Sequence, residues 1–111
     1  MQIRVTARHV EVSNDVREYI YEKASKLPRY YDRIHEIEVI LDHESEQFSA
    51  EMIVRVEREP TIVASETGPD TFALIDVIVG RLERQLKKLK DKRRNHKHGA
   101  KNIAAEEKPS E

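Results

Sequence analysis

The succession of periodicities along the chain predicts an α+β fold: a two-layer sandwich in which a four-stranded, mainly antiparallel sheet carries two helices on one face. Three observations predict it. Four stretches alternate apolar and polar residues as strands do, two others repeat apolar residues at helical spacing, and the joins between the last three strands are short. Read in order, the elements are β-α-β-β-β-α. Helices on either side of a strand meander share one apolar sheet face, which both can cover together.

The first strand is Gln2 to His9, where Ile3, Val5 and Ala7 alternate with Gln2, Arg4, Thr6 and Arg8. Ser13 is placed to cap a first helix over 14–27, on whose face lie Val16, Ile20, Ala24 and Leu27, with Pro28 ending it. Ile37, Val39 and Leu41 then alternate with Glu36, Glu38 and Asp42. After a polar linker from His43 to Gln47, Phe48, Ala50, Met52, Val54 and Val56 alternate with Ser49, Glu51, Ile53, Arg55 and Glu57. Arg58-Glu59-Pro60 interrupts this run, and a fourth strand occupies Thr61 to Glu66. Gly68-Pro69 stops that strand and leaves Asp70 to cap the longest element, a helix reaching to about Asn95. Its apolar face is Phe72, Ile75, Val79, Leu82, Leu86 and Leu89. Gly80 interrupts it at a cost of about 1 kcal/mol relative to Ala, for no reason that the sequence shows.

The charge is divided more sharply than the net value of −1 conveys. Residues 1–80 hold 9 Lys/Arg against 16 Asp/Glu, a net −7, whereas residues 81–101 hold 10 against 2, a net +8, and residues 102–111 hold 1 against 3, a net −2. Arg81, Arg84, Lys88 and Lys92 form a stripe on the last helix centred roughly 135° from the leucines at ~100° per residue. An acidic body with one cationic arm is the electrostatic footprint of a protein that binds a polyanion. The acidic sheet positions Glu36, Glu38, Asp42, Glu44 and Glu51 belong to the other face and would discourage non-specific polyanion binding by repulsion.

At 111 residues, 38% hydrophobic and 37% charged, the chain is expected to form one domain over residues 1–98, followed by a disordered polar tail over 99–111. It has no cysteine, which excludes disulfides and thiolate metal sites, and MQIRVTARH lacks the apolar core of a secretion signal, so a cytoplasmic location is expected. No apolar run nears the ~20 residues that span a bilayer. For catalysis, the chain lacks a glycine-rich phosphate loop, a G-x-S-x-G elbow and H-E-x-x-H, and His9, His35 and His43 stand apart, so no enzyme, catalytic residue, cofactor or small-molecule substrate is expected. His96 and His98 among basic neighbours make a poor metal site, so none is expected. Tyr19, Tyr21, Tyr30 and Tyr31 lie among Arg17, Lys23, Lys26, Arg29 and Arg33; at that spacing they serve as rim of the core more readily than as base-stacking platforms. Two binding readings follow from the residues: a generic double-stranded-RNA binder, and a protein-interaction module using Ile75 to Leu89 as a heptad seam.

Two segments carry a family resemblance. VEVSNDVREYIYEKASKLPRYYDRI and ALIDVIVGRLERQLKKLKDK resemble the first and second helices of the short ribosome hibernation-promoting factor and ribosome-associated inhibitor A family, over about residues 1–95. LERQLKKLKDK joins leucine spacing to a fixed basic pattern, and Ala73-Leu74-Ile75-Asp76 precedes it as the family's Ala-x-Ile-Asp segment does. The resemblance implies a fold related to double-stranded-RNA-binding domains and a non-enzymatic role in stress or stationary phase. It implies binding to the small ribosomal subunit, in the channel of mRNA and tRNA, with translation repressed, and other hibernation factors as further partners. Carried over by position, the rRNA-contacting residues are Lys23, Lys26, Arg81, Arg84, Lys88, Lys90 and Lys92. Pro28 and Phe72 depart from the family's pattern, and neither lies on the basic stripe.

Overall fold

The structure, a computed structural model, describes residues 1–98, with side chains through Arg93. The elements are β1 (Gln2–Arg8), α1 (Asn14–Ala24), a 3₁₀ turn (Leu27–Arg29), β2 (Ile34–Glu44), β3 (Gln47–Val56), β4 (Ile62–Gly68) and α2 (Thr71–His98). The expected tail from residue 99 lies outside the described residues.

The strands lie in the order β1-β2-β3-β4. β1 runs parallel to β2, with Ile3 opposite Ile37 and Val5 opposite Val39, while β2–β3 and β3–β4 are antiparallel. The parallel pair follows from placing α1 between β1 and β2, because a parallel neighbour needs a crossover that only a helix-length connection provides. Strands β2 and β3 run on to Glu44 and Gln47, so the expected linker shrinks to the two residues Ser45 and Glu46. Ser45 has φ 59, the positive value that a type II′ turn needs at its first central position. His9 and Arg58 take positive φ where β1 ends and where β3 turns towards β4.

Alternation gives the sheet two unlike faces. Ile37, Val39 and Leu41 from β2, Ala50, Met52, Val54 and Val56 from β3 and Ala64 from β4 are buried beneath the helices. From α1 and the 3₁₀ turn come Ile20, Ala24 and Leu27; from α2 come Leu74, Ile75, Ile78, Val79, Leu82 and Leu86. Apart from Tyr31, whose hydroxyl is buried, no polar or charged side chain is buried among the described residues. The expected face of α2 is thus displaced slightly: Leu74 and Ile78 join it, Leu89 is half-buried, and Phe72 is 39% exposed. Phe72 lies at the flank of the stripe in the first helical turn, where its ring meets Tyr19 of α1 edge-on, centroids 5.0 Å apart.

The helix ends have identifiable causes. The Val16 N–H donates to Ser13 Oγ at 3.2 Å, and the Phe72 N–H to Asp70 Oδ1 at 3.0 Å, so both expected caps operate. Helix α1 stops at Ala24, short of the expected residue 27. Pro28 explains the difference, since its ring would clash with the carbonyl four residues earlier, which is that of Ala24. The chain continues as a 3₁₀ turn in which the Tyr30 N–H donates to Leu27 O.

Helices α1 and α2 run in the same direction. Tyr19 of α1 meets Phe72 and Asp76 near the start of α2, while Tyr30, beyond α1, meets Lys87 in its second half. Across this junction the Tyr19 hydroxyl donates to Asp76 Oδ1 at 2.5 Å. That bond, with burial and the Asp76 charge adding to it, pushes the Tyr19 pKa up to about 12 from its ordinary 10.0. Because the folded state binds this proton more tightly, the contribution to stability is whole below pH 10 and is lost as pH rises through 12. The phenolate absorbance of the wild type minus that of Tyr19→Phe should therefore rise near pH 12; a difference step at the ordinary value would show that the bond does not form.

Gly80 has no steric reason in the fold. A Cβ built there meets Arg84 Nη1 at 3.9 Å, an ordinary contact, and nothing closer outside the helix's own backbone. Gly80→Ala should stabilise the domain by about 1 kcal/mol through backbone entropy, which thermal denaturation would register as a rise of roughly 4–8 °C in Tm for a domain of this size.

Candidate nucleic-acid interface

The seven basic residues expected to contact RNA sit on the helical layer, and the structure separates them into groups. Taking Leu82 as the centre of the buried face and ~100° per residue, Arg81, Lys88 and Lys92 fall roughly 80–120° to one side. Phe72, Asp76, Lys87 and Lys90 fall roughly 80–140° to the other side, and Arg84 lies near the outer crest. Contacts identify the two sides. Arg81 reaches β4, donating to Ser65 O at 2.8 Å and pairing with Glu66 at 2.6 Å; Phe72 and Asp76 reach Tyr19 of α1. The first side therefore flanks β4 and the second flanks α1.

The members differ in how free they are. Arg84, Lys88, Lys90 and Lys92 are exposed, with no ion pair among the described residues. Arg81 is half-buried and committed to Glu66, so its guanidinium meets a phosphate only by sharing or breaking that pair. Lys23 and Lys26 are half-exposed, and the Lys23 ammonium stands 5.2 Å from the Tyr19 ring centroid. Such a cation–π contact contributes about 0.5–1 kcal/mol at an exposed site and orients the lysine without cancelling its charge.

Lys87 was not among the seven. It is exposed, and its ammonium lies 5.3 Å from the centroid of the Tyr30 ring, on the flank where Lys23 rests over Tyr19. Only its place within the Lys-Lys-x-Lys run pointed to it in the sequence, because the 81-84-88-92 spacing follows the opposite flank. Three of the four tyrosines are occupied in the core or at its rim: Tyr31 is buried, and Tyr19 and Tyr30 are half-buried beneath their lysines, whereas Tyr21 is exposed and donates its hydroxyl to Ile3 O at 3.4 Å.

The far end of α2 is tied down. Arg93 pairs with Glu59 of the β3–β4 loop at 2.5 Å. That bond, aided by the nearby Tyr31 side chain and the Glu59 charge, holds the Arg93 pKa above its ordinary value. The pair fixes the helix where it passes the end of the sheet.

The opposite sheet face corrects an expectation about charge. Glu36 and Glu38 are not free to repel RNA: Arg4 lies 2.6 Å from Glu36 and 3.6 Å from Glu38, and Arg55 lies 3.2 Å from Glu38 and 3.7 Å from Glu36. Strand pairing brings these four side chains together across β1, β2 and β3. Asp42 is held below the usual carboxylate range by its bond to His9, 3.0 Å away, with help from the His43 N–H. The repelling charge of this face is left to Glu44 and Glu51.

Among the described residues no group of three His, Asp or Glu side chains could hold a metal ion, and the side chains of His96 and His98 lie outside them. No described helix is long and apolar enough to cross a membrane. The Ile75 to Leu89 seam, a candidate for pairing with another helix, is spent on the sheet.

Comparison with known proteins places this arrangement. Residues 3–94 match the family described as Sigma 54 modulation protein / S30EA ribosomal protein. The chain is 36% identical to the ribosome hibernation promoting factor of Escherichia coli K12 over 96 residues, 86% of this chain and 100% of that protein. It is 33% identical to the protein of the same name from Pseudomonas putida over 100 residues, 90% and 97% of the two chains. Among solved structures, the N-terminal domain of Thermus thermophilus Protein Y superposes with a TM-score of 0.72 at 30% identity, covering 80% of this chain and 99% of that one. A ribosomal subunit interface protein from Coxiella burnetii gives 0.72 at 28% identity, covering 82% and 99%. With its fold matched and nearly its whole described length aligned, the chain belongs to the Sigma 54 modulation protein / S30EA ribosomal protein family.

Proposed function

We propose that this protein is a ribosome hibernation factor of the cytoplasm, which binds the small ribosomal subunit in the channel used by mRNA and tRNA and represses translation in stress or stationary phase. The observation that carries the reading is the alignment, over 86–90% of this chain and 97–100% of theirs, with relatives named ribosome hibernation promoting factor. The physical surface agrees with it. Arg84, Lys88, Lys90 and Lys92 of α2, with Lys23 of α1 and Lys26 just after it, present cations with no ion pair among the described residues on the helical layer, and Arg81 adds a guanidinium at the β4 edge.

The mechanism needs no covalent step. Each cation that meets an rRNA phosphate releases a counterion, which gives affinity without sequence information; selectivity comes from the fit of the helical layer into folded RNA. A domain seated over a ligand site lowers the apparent affinity of that ligand by mass action alone. The protein acts as a plug, and catalysis has no part in it.

Arg84→Glu combined with Lys88→Glu should abolish co-sedimentation with small subunits while circular dichroism stays unchanged, since both residues are exposed. For the wild type, about five phosphate contacts imply a slope near −4 in log affinity against log salt. Bare RNA duplex should compete poorly with intact subunits. Full binding by the folded double variant, or equal competition by duplex, would defeat the proposed site or its specificity respectively.

Occlusion makes a separate demand. Translation of added message should fall as protein is added and recover when message, initiator tRNA and initiation factors are supplied in excess. Protection of rRNA confined to the solvent side, with mRNA and tRNA bound at full occupancy, would reject it.

A further inference from the structure

We infer that α2 is gripped from both sides by two separate RNA segments, with Lys87 and Lys90 serving one and Lys88 and Lys92 the other. The inference rests on the RNA-binding reading above and adds its geometry and one residue, Lys87. Lys90 and Lys92 stand roughly 160° apart around the helix, and Lys87 and Lys88 roughly 100° apart across its crest. A helix with its side chains is about 10–12 Å across. A strand lying along one flank cannot satisfy lysines on the other, so phosphates from two segments are needed to use both.

Independent contacts distinguish the flanks. On the α1 side the Lys87 ammonium rests over Tyr30 at 5.3 Å and the Lys23 ammonium over Tyr19 at 5.2 Å. Lys23 and Lys87 thus line the junction of the two helices, and the tyrosine rings hold them there. On the β4 side Arg81 is folded onto Glu66 and Ser65, so the free cations of that flank begin only at Lys88. The α1 flank carries Glu83 upstream of Lys87, so its positive charge on α2 also begins in the second half of the helix. Both free rows therefore start at the same level, on opposite sides. The Arg93–Glu59 pair anchors the helix just beyond them, which keeps the two rows at fixed separation.

The absence of cysteine allows a direct test, because Lys90→Cys and Lys92→Cys each create a unique attachment point for a short photo-crosslinker. With purified bacterial small subunits, the two positions should crosslink to different rRNA segments with no shared nucleotides. Crosslinks to the same nucleotides, or from one position alone, would overturn the two-sided grip while leaving RNA binding intact. Crosslinks from neither position, in subunits that retain the protein, would remove α2 from the RNA interface and take the binding reading with it. A second measurement avoids the label. Lys87→Ala with Lys90→Ala, and separately Lys88→Ala with Lys92→Ala, should each reduce the salt slope by about 1.4–1.8, at 0.7–0.9 per lost contact. An unchanged slope for the Lys87 and Lys90 pair would show that the α1 flank meets no phosphate.

Discussion

A four-stranded sheet with Ile37, Val39, Leu41, Met52 and Val54 on one side must keep that side from water, and α2 supplies most of the cover. Leu74, Ile75, Ile78, Val79, Leu82 and Leu86 are all buried against it, each contributing about 1.5–3 kcal/mol relative to exposure. That is large beside the net stability of a small domain, roughly 5–15 kcal/mol. The helix cannot rotate without exposing this face, so its cationic residues cannot rotate either. Burial on one side of α2 is what gives the charges on its other sides fixed directions.

The two kinds of cation divide the work. Arg4, Arg33, Arg55, Arg81 and Arg93 are in ion pairs with carboxylates of the same chain, whereas no lysine is so paired among the described residues. A planar guanidinium offers several donors in a rigid fork and suits carboxylates held by neighbouring strands; an ammonium on a flexible stem keeps its water and follows a partner's phosphates. Exposed pairs of this kind each contribute only about 0–1 kcal/mol. Their larger effect is on the field, because they cancel charge on the body and leave the lysines of the helical layer to dominate what an approaching polyanion meets.

How much of this was legible in the sequence depends on the range of the interaction. Alternation placed the β2 and β3 core residues on the correct face, and local chemistry located the Ser13 and Asp70 caps, because these signals act within a few residues. Pro28 gave the end of α1 imprecisely, since its steric effect falls on the carbonyl of Ala24, four residues back. Phe72 fitted the apolar period of α2 but sits at its margin, where α1 rather than the sheet receives it. The cations of the candidate site were legible in composition and their arrangement was not. Nothing near Arg81 in the chain announces Glu66, nor does anything near Lys87 announce Tyr30; strand order and helix direction create both contacts. Likewise Glu36 and Glu38 read as a repelling pair until the parallel β1 brings Arg4 across them.

The sequence's charge division then acquires a direction in space. Residues 1–80 carry a net −7 and residues 81–101 a net +8, and the fold places much of the positive share along one helix on one layer. A molecule so polarised is turned by a polyanion's field before contact, helical layer first, over distances limited by a Debye length of about 8 Å at physiological salt. Steering of this kind accelerates encounter and vanishes with added salt; it does not choose among polyanions. Choice depends on what the fixed directions of the lysines can satisfy at once, and those directions are set by the same buried leucines and isoleucines that hold the fold together.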